Sequence, residues 1–560
     1  MDNYRAILAI VLAFFILLGY QYLFVTPQLE QEQAEVEQTA ETIAPAAPAG
    51  KVPQAPAPAS SPVNEQGQFE QPAVYEQPAV LPSQEGKEII VETGNYTAVI
   101  SETGGGIKSF RLNNYRETAA PDAEMKELIS TDTYIDLPLY FSWGVEPKRA
   151  QIPVYTSDQE TIKALSGDNK TLTMTAQLSS GLQITRRLTF DPDSYLIRME
   201  VDIHNFSETP LQGSPYLSLT NHPFDSKAMR YLFSGPAALI DGSLEEVKPK
   251  DFAETGKTLK GNITWAAYEG TYFMTGVIPE QQEGLTLKLS AEGEKVNTLL
   301  ISPEEILPAK ARVQYNYQVY FGPKKMSTLK EVGHNLDQII NFGWFDKLAK
   351  PALFLLNFFY GYVGNYGIAI IIVTILIKIL FWPIAQKGLK SMKNMQKIQP
   401  KMAKLKEKYK NDSARLNQEM MNLYKTYKVN PLGGCLPMFL QIPVFFALYK
   451  VLLQAIELRH APFMLWVTDL SAPDRLMIGM DIPYLGGIPV LTLLMGGSMF
   501  LQQKMTPAPA DPTQAKIMMF LPVIFTFMFL NFASGLVLYW LMNNLLTIAQ
   551  QYIINKQTAA

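Results

Sequence analysis

Cysteine is almost missing from this chain of 560 residues: Cys435 is the only one, and it lies in an apolar stretch. A single cysteine excludes an intrachain disulfide framework and a cysteine-based metal cluster. Histidine is nearly as scarce, and His204, His222, His334 and His460 stand too far apart for an HExxH-type site. Neither a GxxxxGKS/T phosphate loop nor a GxSxG elbow occurs. Gly104, Gly105 and Gly106 form a glycine cluster, but Ser109 breaks the GxGxxG pattern, which leaves a tight turn between strands. Charge is also sparse. Asp, Glu, Lys and Arg make up 18% of the chain, against roughly 25% in soluble proteins. Long apolar runs crowd both ends of the sequence. A simple soluble enzyme is therefore excluded, and no catalytic centre, cofactor or metal is expected.

The net charge of −4 hides one asymmetry. Residues 387–428 carry 12 Lys and Arg against three acids, Glu407, Asp412 and Glu419, a net of +9, and the remainder carries −13. One anion-seeking surface thus sits on an otherwise acidic protein.

The order of segments points to a multi-domain membrane protein. Residues 6–25 are apolar for about twenty positions, enough to cross ~30 Å of hydrocarbon. No small-x-small cleavage pattern follows, so 1–25 reads as an uncleaved anchor rather than a signal peptide. Residues 26–86 read as a disordered linker rich in Pro, Ala, Gln and Glu, with ten prolines and one basic residue, Lys51, before Gly86. Residues 87–340 read as an all-β sandwich domain, with strands expected at 89–91, 96–100, 182–190, 201–204 and 313–321. Residues 341–362 then place Phe345, Leu348, Ala352, Leu355, Leu356 and Phe359 at helical spacing, with Asp346, Lys347 and Lys350 between them. That pattern predicts an interfacial amphipathic helix. A helix running from 352 to 383 would be about 48 Å long, so a break is expected within 361–367.

Residues 363–560 hold five candidate spans, at 366–382, 436–456, 485–501, 517–532 and 536–554. With the anchor this makes six, and both termini fall on one side. Short basic loops stay cytoplasmic. The basic segment therefore places both termini in the cytoplasm and the β domain outside it. Residues 387–430 predict a helical hairpin turned at Asn411-Asp412-Ser413, with a seam of Met392, Met395, Met402, Met420 and Met421. Methionine suits surfaces that accept varied apolar partners. A solvated hairpin that only fixes topology, contact with anionic lipid, and contact with RNA are competing uses of the same residues.

Lys378 is the sharpest single residue, because a charge near the bilayer centre costs roughly 2.5–3.5 kcal/mol on insertion scales. Two readings compete: an ammonium facing a wet cavity, and a lysine snorkelling to the interface near Pro383. Thr374 lies one turn earlier on the same face. Gln441 interrupts the span at 436–456, and Tyr539, Asn543, Thr547 and Gln550 form one polar stripe in the last span. Singly, such residues also serve as interhelical glue. Together with the cation they suit a hydrated groove.

Asn430-Pro431-Leu432-Gly433-Gly434-Cys435-Leu436-Pro437, Gln441-Ile442-Pro443-Val444-Phe445 and Ser534-Gly535-Leu536-Val537-Leu538-Tyr539-Trp540 resemble the signature stretches of the YidC family of membrane protein insertases. The long domain after an anchor resembles the Gram-negative form. The resemblance implies a five-span core around a groove open to cytoplasm and lipid, and a periplasmic β super-sandwich. It implies a place in the inner membrane as an insertase and chaperone. Lys378 falls where an arginine is familiar, Thr374 at a substrate-contacting position, and Tyr539-Trp540 where a Tyr-Tyr pair is familiar. The implied partners are nascent inner-membrane proteins, the Sec translocon, the ribosome and signal recognition components, with anionic lipids but no small-molecule substrate. A transporter would instead need repeated halves, which the sequence lacks. A periplasmic receptor would need only its β domain.

Overall fold

The computed structural model describes residues 73–74 and 86–557, apart from 132, 135–136, 148–151, 166, 179–180, 225–231, 411, 428–435, 480–484 and 507–511. The expected anchor and nearly all of the linker lie outside the described residues, as does Cys435. Within the linker, Ala73–Val74 forms a short strand paired in parallel with Leu211 and Gln212. At that point the chain is sheet and not coil, because two residues of backbone dock on an available strand.

Among the described residues the strands form three sheets of eight, seven and five. Period-two alternation explains why. In Leu182–Phe190 every second side chain is buried, and the strand pairs with Leu196–Asn205 on one side and Lys170–Gln177 on the other. The expected strand at 182–190 coincides with this element, and those at 201–204 and 313–321 lie inside Leu196–Asn205 and Arg312–Pro323. Nearly all pairings are antiparallel; Glu88–Thr93 with Thr161–Ala164 is parallel. The eight- and seven-stranded sheets share one apolar core that includes Trp143, Trp265, Phe190 and Phe321.

The inward face of Leu182–Phe190 carries a guanidinium. Arg186 is fully buried. It donates to Gly105 O at 2.6 Å and Leu139 O at 2.9 Å, and lies 5.6 Å from the centre of the Tyr155 ring. Carbonyl dipoles and an aromatic face thus replace the water that a buried charge loses. The glycine cluster makes this possible: Gly105 sits at φ +65°, and a Cβ there would come within 2.6 Å of Arg186 Nη1 and 2.7 Å of the Tyr155 ring.

After the sheets the chain turns helical. Helix α1 is Met326–Val332 and α2 is Asp346–Val363. Gly364, at φ +64°, ends α2, and the Asn365 side chain accepts from Ile368 N to start α3, Tyr366–Lys408. The expected break falls at these two residues. Helix α3 is 43 residues long and runs on through Pro383 and Pro400. The expected span and the first arm of the basic hairpin are therefore one helix; proline here removes a hydrogen bond without ending the rod. Helix α4, Ser413–Thr426, is capped by Asp412 Oδ1, which accepts from Arg415 N at 3.0 Å. Helices α5, Leu436–Gln454, α6, Val490–Met505, α7, Pro512–Phe529, and α8, Ser534–Gln557, complete the chain. α8 packs on α3 and α6, α7 on α6, and α2 on α3 and α5.

Among the described residues one helix, Tyr366–Lys408, is long and apolar enough to cross a membrane. Leu440–Gln454 and Lys516–Phe529 are shorter apolar helices. α6 has 16 residues, and α8 carries Asn543, Asn544, Gln550 and Gln551. The outward sides of α3 and α7 expose Leu376, Ile379, Leu380, Phe520 and Phe527.

Gly105→Ala is expected to destabilise the β domain by about 2–4 kcal/mol through strain and the clash with Arg186. Gly242→Ala, also at positive φ but with open space around its Cβ position, is expected to cost about 1 kcal/mol. Denaturant midpoints read from the buried tryptophans check both.

Candidate functional site

Five polar residues of the sequence pattern converge between α3, α5 and α8. Thr374 and Lys378 are one turn apart on α3, and Tyr539 and Asn543 are one turn apart on α8, so each pair shares a face. Gln441 enters from α5. Together with Ile377 and Phe381 they line a recess.

Lys378 Nζ donates to Thr547 Oγ1 at 2.7 Å and Asn543 Oδ1 at 3.2 Å. Thr547 in turn donates to the Asn543 carbonyl at 2.7 Å. Among the described residues no carboxylate pairs with this ammonium. Its charge is held by neutral dipoles alone, which leaves it available to an incoming anion. Thr374 is buried, and its hydroxyl donates to Ile370 O at 2.6 Å. Tyr539 is buried beside Phe445.

The structure does not bring every expected site residue here. Trp540 lies outside the recess lining, its ring 4.7 Å from Phe445, 5.1 Å from Phe529 and 6.0 Å from Phe525. Adjacent helical positions point about 100° apart, so Tyr539 and Trp540 serve different faces. Met395 and Met420 pack against Ile398 and Met402 in the seam between α3 and α4. Met421 is exposed, and the Met392 side chain lies outside the described residues. Thr547 is the shorter of the two lysine contacts; its place in the stripe of Tyr539 and Asn543 is the signal that marks it.

The end of the helical part nearest the starts of α3, α6 and α8 is closed by the loop around 456–476. Asp474 is 2% exposed and accepts from Trp466 Nε1 at 2.6 Å, Leu491 N at 2.5 Å and Thr492 N at 3.1 Å. It thereby caps α6. Arg475 donates to Leu530 O at 2.8 Å and Asn531 Oδ1 at 3.0 Å, in the turn before α8. Ser534 Oγ donates to Asp469 O at 2.7 Å, and Asn365 Nδ2 to Phe463 O at 2.7 Å. Lys378 stands twelve residues into α3 from this end, about 18 Å of helix.

Comparison with known proteins agrees with this layout. Residues 88–355 match a family model described as the YidC periplasmic domain, and residues 358–560 match one described as the 60Kd inner membrane protein. The membrane protein insertase YidC of Syntrophus aciditrophicus (strain SB) is 44% identical over 564 residues, covering 99% of each chain. This chain belongs to the YidC family. Another family member, from Geotalea uraniireducens (strain Rf4), is 41% identical over 562 residues, again covering 99% of each. Among solved structures, that of an active YidC insertase with its first transmembrane domain resolved is 18% identical. It covers 85% of this chain and 94% of that one, with a TM-score of 0.37. Family membership spans both parts of the molecule, and the recess, the basic hairpin and the closing loop all fall within the matched residues.

Asp474→Ala is expected to leave the first N–H groups of α6 without an acceptor. Hydrogen exchange at Leu491 and Thr492 should then rise about thirtyfold, equivalent to a loss of about 2 kcal/mol.

Proposed function

We propose that this protein inserts hydrophobic segments of nascent proteins into the inner membrane, and that the recess around Lys378 receives the polar part of the substrate. The observation that carries the reading is the ammonium itself: a cation set between three helices and held by Asn543 and Thr547, with no carboxylate partner among the described residues.

Apolar helices enter a bilayer downhill, at about −0.3 to −0.6 kcal/mol for each Leu, Ile, Phe or Val at the centre. The obstacle is the polar tail or loop that must cross. A hydrated groove partway into the bilayer shortens the dry path, and a lysine in it attracts acidic residues. The loop held by Asp474 and Arg475 closes the far end, so the substrate leaves sideways into lipid. In this reading six spans lie in the membrane, both termini and the basic hairpin are cytoplasmic, and the β domain is periplasmic. The hairpin meets substrates first. Its lysines suit the ribosome, signal recognition components and anionic lipid, while the Sec translocon and a chaperone role in assembly belong to the same reading.

Lys378→Ala is expected to slow insertion of substrates with acidic translocated tails by about tenfold or more, the worth of one charge-assisted hydrogen bond. Neutral tails should change by less than about twofold, and Lys378→Arg should retain activity. Insertion into proteoliposomes, scored by protease protection of the tail, checks this; equal rates for both tails in Lys378→Ala would overturn the charge's role. Site-specific crosslinkers at Thr374, Lys378 and Tyr539 should capture a nascent chain, while one at Trp540 should not.

A further inference from the structure

A second cleft lies where the β domain meets the helical part. Its floor includes Glu269, the last residue of the strand Ile263–Glu269. Glu269 is 2% exposed. One of its carboxylate oxygens, Oε2, accepts from Lys324 Nζ, which also donates to Gly270 O at 3.1 Å. The other, Oε1, is buried with no hydrogen-bond partner among the described residues. Leaving such an atom unpaired is costly, since it has given up its hydrogen bonds to water without replacement. Its missing partner has to be a donor, because a carboxylate oxygen accepts.

The remaining walls narrow the chemistry. Glu246 stands exposed at the rim, at the end of the strand Ser243–Glu246. Lys324, just after Arg312–Pro323, is the one cation among the described lining residues. The segment 339–341 contributes the Asn341 amide, and the end of α5 contributes Gln454; neither is charged. With both carboxylates ionised, the described lining residues carry one surplus negative charge. Phe233 and Ile340 supply apolar wall beside these polar groups. A negative floor with an unpaired acceptor, flanked by apolar side chains, matches a cationic head on an apolar stem.

We propose that this cleft binds an alkyl cation of the lysine or arginine type, whose N–H groups satisfy Glu269 Oε1 and whose stem lies against the apolar wall. The site is separate from the Lys378 recess and does not depend on the insertase reading. Burial pushes the Glu269 carboxyl up to about 7, with Lys324 opposing. A bound cation favours the ionised form, so binding releases a proton, and affinity falls as pH drops through this range.

The test uses the full chain in lipid nanodiscs, titrated calorimetrically with N-acetyl-Leu-Lys-Leu amide. At pH 8 the peptide should bind saturably, and at pH 6 about tenfold more weakly, as the ionised fraction of a group titrating near 7 dictates. Glu269→Gln should weaken binding at least tenfold. Glu246→Gln, an exposed change that leaves the core intact, should weaken it several-fold and remove any ambiguity from misfolding of the buried variant. The norleucine analogue of the peptide should not bind. Putrescine, run in parallel, identifies the source: binding equal to the peptide's supports a free amine, and binding of the peptide alone supports a basic side chain of a protein segment. Equal binding of the lysine and norleucine peptides, or unchanged binding in both glutamate variants, would overturn the proposal.

Discussion

The helical part is organised by the need to satisfy one ammonium away from bulk water. Lys378 cannot be left among Ile377, Phe381 and Leu440 without partners, since an unpaired charge in apolar surroundings is far more costly than any packing gain nearby. Asn543 and Thr547 supply those partners, and they do so only if α8 lies against α3 with its polar stripe turned inward. The other faces of α8 are then set as well. Asn544 donates to Ser498 on α6 at 3.0 Å, and Gln551 to Thr506 at 3.2 Å. One polar contact thus positions three helices.

The same accounting governs the rest of the molecule. Asp474 is buried, and its oxygens are answered by an indole N–H and two helix-terminal N–H groups. Arg186 is buried, and carbonyls answer it. Arg186 Nε and Glu269 Oε1 are the exceptions among these groups: among the described residues neither has a hydrogen-bond partner, and Glu269 lines a cleft. The position of Glu269 gives that cleft its interest: an unanswered acceptor at its floor leaves a place for a donor.

Function follows from the arrangement along α3. The loop around 456–476 bonds to the starts of α3, α6 and α8, the lysine-rich arm continues from the other end of α3, and the recess lies between. A continuous helix of 43 residues links the recess to the methionine seam, so the proposed receiving hairpin and the proposed groove share a backbone.

Much of this was legible from residue order. Alternation in 182–190 marked a strand to the residue, because one face of a sheet is buried and a slip of one position would invert it. The spacing of Thr374 with Lys378, and of Tyr539 with Asn543, placed each pair on one helical face, because the period of a helix is a local property. The family resemblance rested on local motifs for the same reason. Other features needed the assembled chain. The expected span stopped at 382, yet α3 continues through Pro383 to Lys408. Trp540 adjoins Tyr539 in the chain but packs with Phe445 and Phe529. The partners of Lys378 stand 165 and 169 residues away, and Glu269 meets Gln454 at a cleft that no local pattern announces. Periodicity and composition are written in neighbouring residues, so the sequence by itself determined the segments and their faces. Which faces meet depends on contacts between distant parts of the chain, and only the tertiary structure decided those.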